Sequence, residues 1–446
     1  MVEIKRTLLL LVATLSLHAF AQEMTLAECI QVGIERNLQL RNNRIDVAKG
    51  EMQISQSRAM LLPTVNGTFQ VTGYLKNPVQ VSGGTLIDMD YPDPLQWQKV
   101  HTMPIGSTLA VTAQAPLYNK SIFAAIEAAK VIKELNLLSV DKAREQLIVQ
   151  IAQTYFGAQA YRELEILFEA DINRMKTLHA ITKSMYEQGV ILEIDYTRIG
   201  INITNLEAQR NSCHTAHIQQ LNTLRFLLDM KAEDPIEVER MRDDLFRINA
   251  QSMSPLLPDL QLADTQITLI DKQKRLTKAG YLPSVGAFVQ GGFLGYQERL
   301  GDLFTKFNKR QFGMAAIGVS VSIPIFDGRD RSFKLKQYDY DAEKAVNNRQ
   351  LLQSNLEREH NNSLLQLNQN EQIFTTQTAN RKQAFDVYQI TELRYREGIT
   401  PMSDLLQDDM RLITAEQEIV TAHLQYNLAL VGLLRLEGQL DLLNKF

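Results

Sequence analysis

Two cysteines, one tryptophan, and no run of 18 apolar residues after a short leader are what this 446-residue chain has to offer in those categories. Cys29 and Cys213 cannot build a disulfide framework, since one bridge is the most they allow. Without a long apolar run, any membrane span has to be made of strands. Basic blocks and basic–aromatic interleaving are also missing, which excludes a nucleic-acid partner. No Ser-His-Asp signature, Gly-rich phosphate loop or isolated carboxylate pair occurs, so the sequence predicts neither an enzyme nor a cofactor. "CHTAH" (213–217) sets His214 and His217 at i, i+3 near Cys213, but no further ligands join them, and the segment reads as polar helix surface. Proline is absent, and glycine nearly so, from Ser121 to Gln188 and from Arg331 to Glu397. Each stretch predicts a helix on the order of 100 Å long at 1.5 Å per residue. No monomeric globular core needs such a rod.

What is present begins with a leader. Lys5 and Arg6 precede an apolar run from Leu8 to Leu17, and Ala19-Phe20-Ala21 supplies small residues for cleavage before Gln22. Residues 1–21 read as a secretory signal peptide. Its removal takes Glu3, Lys5 and Arg6, leaving 50 acidic against 45 basic residues. "LAEC" ending at Cys29 is a poor lipidation box, because Glu28 is not small. The terminal Phe446 follows a helical stretch and is not read as a barrel-assembly signal.

Three landmarks then recur in the same order, offset by roughly 210–220 residues, which predicts an internal duplication. "LLPTVNGTFQVTGY" (61–74) returns as "YLPSVGAFVQGGFLGY" (281–296), and "VTAQAPLYN" (111–119) as "SVSIPIFDG" (320–328). "YEQGVILEIDYT" (186–197) returns as "YREGITPMSDLL" (395–406). The predicted organisation is therefore a signal peptide (1–21), a first repeat (22–235), an equatorial linker (236–258), a second repeat (259–440) and a short tail (441–446). Each repeat reads helix, strand, loop, strand, very long helix, turn, long helix.

The strand segments alternate with period two. Ile105, Ser107, Leu109, Val111, Ala113 and Ala115 form one face, against Gly106, Thr108, Ala110, Thr112 and Gln114. Ala315, Ile317, Val319, Val321, Ile323 and Ile325 likewise oppose Met314, Ala316, Gly318, Ser320 and Ser322. Such alternation suits strands with lipid on one side and water on the other; a half-buried sheet in a soluble domain is the alternative. Residues 77–104, with Trp97, read as a long external loop. On the second rod, Ala345, Leu352, Leu356, Ser363, Leu367, Phe374, Thr378 and Phe385 form a sparse stripe. Its eleven-residue repeat favours a nearly straight helix.

Four membrane strands cannot stand alone in hydrocarbon, because their edge N–H and C=O groups would go unpaired. Eight strands from two copies enclose only side chains, whereas twelve from three leave room for a bore. The Thr, Ser, Gln and Gly face favours three. A secreted or periplasmic helical scaffold without a barrel is the competing reading.

Taken together, "MTLAECIQVGIERNLQLRNNRI", the paired "LPTV" and "LPSV" entries, "IPIFDG" and "YREGITPMSDLL" resemble the TolC-like outer-membrane factor family along the whole mature chain. The resemblance implies a mostly α-helical trimeric channel-tunnel, with a shared twelve-stranded β-barrel in outer-membrane lipid and a long periplasmic α-helical barrel. It implies service as the exit duct of a tripartite efflux pump or a type I secretion system, beside a periplasmic adaptor and an inner-membrane transporter.

Gly189 and Gly398 are expected to end their helices with φ > 0, and Thr400 and Pro401 to restart the chain as N-cap and N1. In the resembling family the adaptor contacts these tip turns, here Gly189-Val190 and Gly398-Ile399, preceded by Tyr186 and Tyr395. An acid facing a threefold axis becomes a ring of three charges. The resemblance makes Asp404 the constricting acid, with Asp408 one turn on and Asp195 in the first repeat as further candidates. The family's second acid would fall at Gln407, a departure that leaves the number of rings open. The competing role for these acids is to favour the positive end of a helix.

Overall fold

The computed structural model describes residues 23–76, 79–82, 98–101, 103–242, 244–301 and 311–445. The signal peptide, Trp97 and Phe446 lie outside them. The described chain divides into two compact units: one takes Ala48–Glu134 and Thr265–Ala345, the other the described residues of Met1–Val47, Leu135–Asp264 and Val346–Phe446. Each unit draws on both halves of the sequence.

The first unit contains a four-stranded antiparallel sheet of β2 (Thr64–Gly73), β5 (Ile105–Tyr118), β7 (Ser284–Gln297) and β8 (Gln311–Ser322), in the order β2-β5-β7-β8. Its register aligns the alternating pattern across all four strands. One row runs Val65–Ala113–Val289–Ile317 and another Phe69–Leu109–Phe293–Gly313. The neighbouring row on the other face runs Asn66–Thr112–Gln290–Ala316. A slip of one residue would reverse both faces, so the pattern fixes the pairing. Val65, Phe69, Val111, Val289, Phe293, Ile317, Val319 and Val321 are all exposed, so this apolar face is left uncovered by the described residues. Gly292 is required where it stands: a Cβ there would lie 2.2 Å from the Leu109 carbonyl oxygen. β2 and β8 are the sheet's outer strands. Between β2 and β5, the segment expected as a plain loop contains a short ladder, β3 (Val79–Ser82) with β4 (Gln98–His101).

The helices are α1 (Leu26–Arg36), α2 (Leu38–Ala59), α3 (Lys120–Glu187), α4 (Glu193–Leu227), α5 (Pro258–Ala279), α6 (Asp330–Arg396) and α7 (Met402–Glu437). α3 and α6 have 68 and 67 residues and match the two proline-free stretches within one residue at each end. α1 opens with a capping box: the Glu28 N–H donates to Thr25 Oγ1 (3.1 Å) and the Thr25 N–H to Glu28 Oε2 (2.9 Å). That satisfies two of the otherwise unpaired first-turn donors.

In the second unit, one core joins Leu26, Cys29 and Ile30 of α1 to Ile151, Tyr155 and Phe156 of α3 and Leu430, Leu433 and Leu434 of α7. α7 is long and apolar enough to cross a membrane, yet its apolar side chains supply this core. Burial pushes the Cys29 thiol up to about 12; it and Cys213 are free thiols. β1 (Glu23–Met24) pairs in parallel with β6 (Glu237–Val238). The segment expected as an equatorial linker is strapped to the helices: Tyr426 Oη donates to the Phe246 carbonyl (3.0 Å), and the Gln251 N–H to Glu437 Oε1 (2.8 Å).

Two expectations need correction. His217 is buried rather than on polar surface, with Nδ1 2.9 Å from the Ala158 carbonyl and Nε2 3.2 Å from Glu237 Oε1. No group of three or more metal-ligating side chains occurs among the described residues. On α6, Leu356 and Leu367 are buried as the stripe predicts, but at its far end Phe385 is exposed and Tyr388 is buried instead. The Arg174 guanidinium lies 5.1 Å from the Tyr388 ring centroid, which draws that side of the helix inward.

Candidate functional site

The two glycine turns share one backbone geometry. Gly189 (φ 73°) donates to the Tyr186 carbonyl (2.8 Å) and Val190 to that of Met185 (2.9 Å). Gly398 (φ 72°) donates to Tyr395 (2.9 Å) and Ile399 to Arg394 (2.9 Å). Both are Schellman closures, which satisfy the last helical carbonyls through a left-handed residue. No atom lies within 4 Å of a Cβ built at either glycine, so backbone conformation, not space, selects glycine here.

The restart after Gly398 differs from the expected cap. Pro401 itself is the N-cap, in extended conformation (ψ 157°), and α7 begins at Met402. Thr400 does not cap. The Asp404 N–H instead reaches the Pro401 carbonyl (3.2 Å).

The six tip residues divide by exposure. Val190 and Ile399 are exposed, as are Leu192 and Ile194 beyond the first turn. Tyr186 is partly exposed and stacks on Tyr196 (5.9 Å between centroids), which in turn stacks on His179 (4.4 Å). Tyr395 is buried, and burial raises its pKa. Its hydroxyl has no hydrogen-bond partner among the described residues.

The three acids divide as well. Asp404 is exposed in the first turn of α7, and its carboxylate accepts from the Ser403 hydroxyl (3.3 Å). Asp408 is held from two sides, by the Thr391 hydroxyl on α6 (2.7 Å) and by Arg411 (3.0 Å). Asp195, in the first turn of α4, pairs with Arg198 at 3.6 Å.

Beneath these turns is a charged cluster that the sequence expectations did not include. Arg174 on α3 donates to Asp171 Oδ1 (2.6 Å) and to Asp409 Oδ1 on α7 (3.0 Å), while its guanidinium faces Tyr388 of α6. Burial pushes Asp171 up to about 7 and Asp409 to about 6, with Arg174 opposing both shifts and Glu416 adding to them. Two buried carboxylates share one cation, so one of them readily holds a proton. The signal that could have suggested the cluster is an Asp-x-x-Arg spacing on one helix face. Its other half lies 235 residues away.

Comparison with known proteins agrees with this architecture. The chain is 21% identical over 412 residues to the probable efflux pump outer membrane protein TtgC of Pseudomonas putida, covering 90% of this chain and 80% of that protein. Its fold matches the MtrE outer membrane channel of Neisseria gonorrhoeae with a TM-score of 0.70 and 20% identity, covering 93% and 88% of the two chains. It matches the CmeC outer membrane channel of Campylobacter jejuni with a TM-score of 0.72 and 16% identity, covering 93% and 85%. The family model for outer membrane efflux proteins matches residues 29–229 and 256–439, nearly the whole of both halves that carry the sheet, the rods and the turns. With that match, this chain belongs to the outer membrane efflux protein family.

Proposed function

We propose that three copies of this chain close their sheets into one twelve-stranded barrel and join their long helices into a tube across the periplasm. The assembly is a passive exit duct of a tripartite efflux pump or a type I secretion system. The observation that carries this reading is the two-faced sheet, whose strands β2 and β8 have no partner on their outer edges among the described residues. In hydrocarbon each unpaired backbone group costs several kcal/mol, so the edges must meet other copies. A helical scaffold without a barrel leaves the exposed Phe69, Phe293 and Ile317 unexplained. Two strands and one glycine turn per half support an ancestral duplication, with repeats at 22–235 and 259–440.

The tips are where partners act. Exposed Val190, Leu192, Ile194 and Ile399 offer apolar contacts to a periplasmic adaptor, which couples the duct to an inner-membrane transporter. Of the three acids, Asp404 is the best placed to form a constricting ring, because Asp408 and Asp195 are each tied to an arginine of their own helix. Cell fractionation tests the reading: recovery in the outer membrane as a trimer that runs intact on gels until heated supports it. A soluble periplasmic monomer rejects it.

A further inference from the structure

A basic groove lies beside the sheet and plays no part in the duct reading. The first turns of α3 and the last turns of α5 border a space of about 460 Å³, lined by Lys120, Lys272, Arg275 and Lys278 with a single acid, Glu127, and by apolar Phe123 and Leu282. Glu127 is held by Lys130 (2.7 Å) and lies 3.8 Å from Lys272, and Arg275 pairs with Asp271 (2.9 Å). Lys120 and Lys278 are exposed and have no ion-pair partner among the described residues. The groove therefore carries uncompensated positive charge.

Its position gives that charge a use. Lys120 comes two residues after the end of β5, and Leu282 two residues before the start of β7; the two strands meet there at Tyr118↔Val285. Around this end of the sheet, Leu117, Tyr118, Tyr281 and Leu282 are exposed, and the Arg331 guanidinium sits 5.4 Å from the Tyr281 ring centroid. Tyrosines at the margin of an apolar strand face mark the level of a membrane–water interface. Lysines at that level extend their ammonium groups toward lipid phosphate while their stems stay against apolar surface.

We propose that this groove binds the phosphate headgroup of an anionic phospholipid from the leaflet at the helical end of the sheet. Lys120 and Lys278 contact the phosphate, and Phe123 and Leu282 support the start of an acyl chain. A free anion has no use for these two exposed apolar side chains, which is why the lipid is favoured. The inference rests on reading the sheet as the membrane part of the duct.

The test uses the full-length protein in nanodiscs of phosphatidylcholine with and without phosphatidylglycerol. After transfer to mild detergent, the lipids that stay bound are counted by native mass spectrometry. Phosphatidylglycerol should be retained over phosphatidylcholine. Lys120→Gln and Lys278→Gln should each lower that retention roughly fivefold, while Lys334→Gln, an exposed lysine outside the groove, should leave it unchanged. Equal retention of the two lipids, or retention indifferent to both groove substitutions, overturns the site while leaving the duct intact. Displacement of phosphatidylglycerol by inorganic phosphate overturns the lipid as occupant. Failure of the wild-type protein to enter nanodiscs at all overturns the membrane reading and the site with it.

Discussion

The two glycine turns are alike in backbone and unlike in everything packed around it. At the first, no residue from Lys183 to Arg198 is buried, so the hairpin of α3 and α4 extends well past its core. At the second, Tyr395 is buried three residues before the glycine, and Met402, Leu405 and Leu406 are buried soon after it. The cluster of Asp171, Arg174 and Asp409 ties α3, which leads into the first turn, to α7, which leaves the second, whereas the half-buried Asp195 just after the first turn pairs with Arg198 of its own helix. The difference teaches that a repeated turn sequence specifies a repeated chain reversal but not a repeated role. The first tip is a finger with Val190, Leu192 and Ile194 exposed, while the second is anchored by buried side chains and carries Asp404, which has no ion-pair partner among the described residues.

The largest expected effect is at the anchor. Asp409→Ala deprives Arg174 of one buried partner and should destabilise the assembled protein by about 3 kcal/mol. Asp195→Ala, losing a surface pair, should cost under about 1 kcal/mol. Denaturant unfolding of the two variants measures both, and equal losses would erase the distinction between the tips. Next comes docking. Leu192→Asp with Ile194→Asp should weaken adaptor binding about tenfold without affecting assembly, as loss of apolar anchors does. Ile399→Asp should do less, and co-purification after crosslinking at the tips reports the order.

A third difference concerns pH. Asp171 and Asp409 have raised values in the folded protein, at about 7 and about 6. Unfolded aspartate titrates near ~4. Their contribution to stability is therefore fully present below that unfolded value and is lost as pH rises through about 6 to 7. The slope is up to about 1.4 kcal/mol per pH unit per proton. Asp171→Asn should flatten this profile in thermal unfolding; a profile unchanged by the substitution would exclude the cluster as its source. The smallest effect is on conduction: Asp404→Ala should raise single-channel conductance in planar bilayers and weaken block by multivalent cations, and Asp195→Ala should change both less.

Much of the fold could be read from the sequence because its signals are local. Alternation in β5 and β8, the absence of proline along α3 and α6, and a glycine after Tyr-x-x all act within a few residues, and the structure places them as expected except that β8 ends at Ser322, leaving Ile323 and Ile325 of the alternating pattern beyond the strand. The site was legible only in its backbone. The burial of Tyr395, the two-sided hold on Asp408 and the shift from Phe385 to Tyr388 depend on side chains brought together from α3, α6 and α7. Arg174 meets Asp409 across 235 residues, so neither residue carries a local mark of that pairing. Pro401, in extended conformation, takes the capping position one residue later than the sequence implies, and its carbonyl accepts from the Asp404 N–H. His217 likewise looked like surface until β6 brought Glu237 against it.

Closure of the sheet by neighbouring copies is the claim on which the rest depends, and crosslinking between its outer strands tests it most directly. With Cys29 and Cys213 replaced by serine, cysteine pairs are scanned along β2 (Thr64–Gly73) and β8 (Gln311–Ser322) and oxidised in isolated outer membranes. At one register the account predicts covalent dimers and trimers on non-reducing gels, with no larger species. Monomers at every register, or a ladder that continues past three chains, would contradict it.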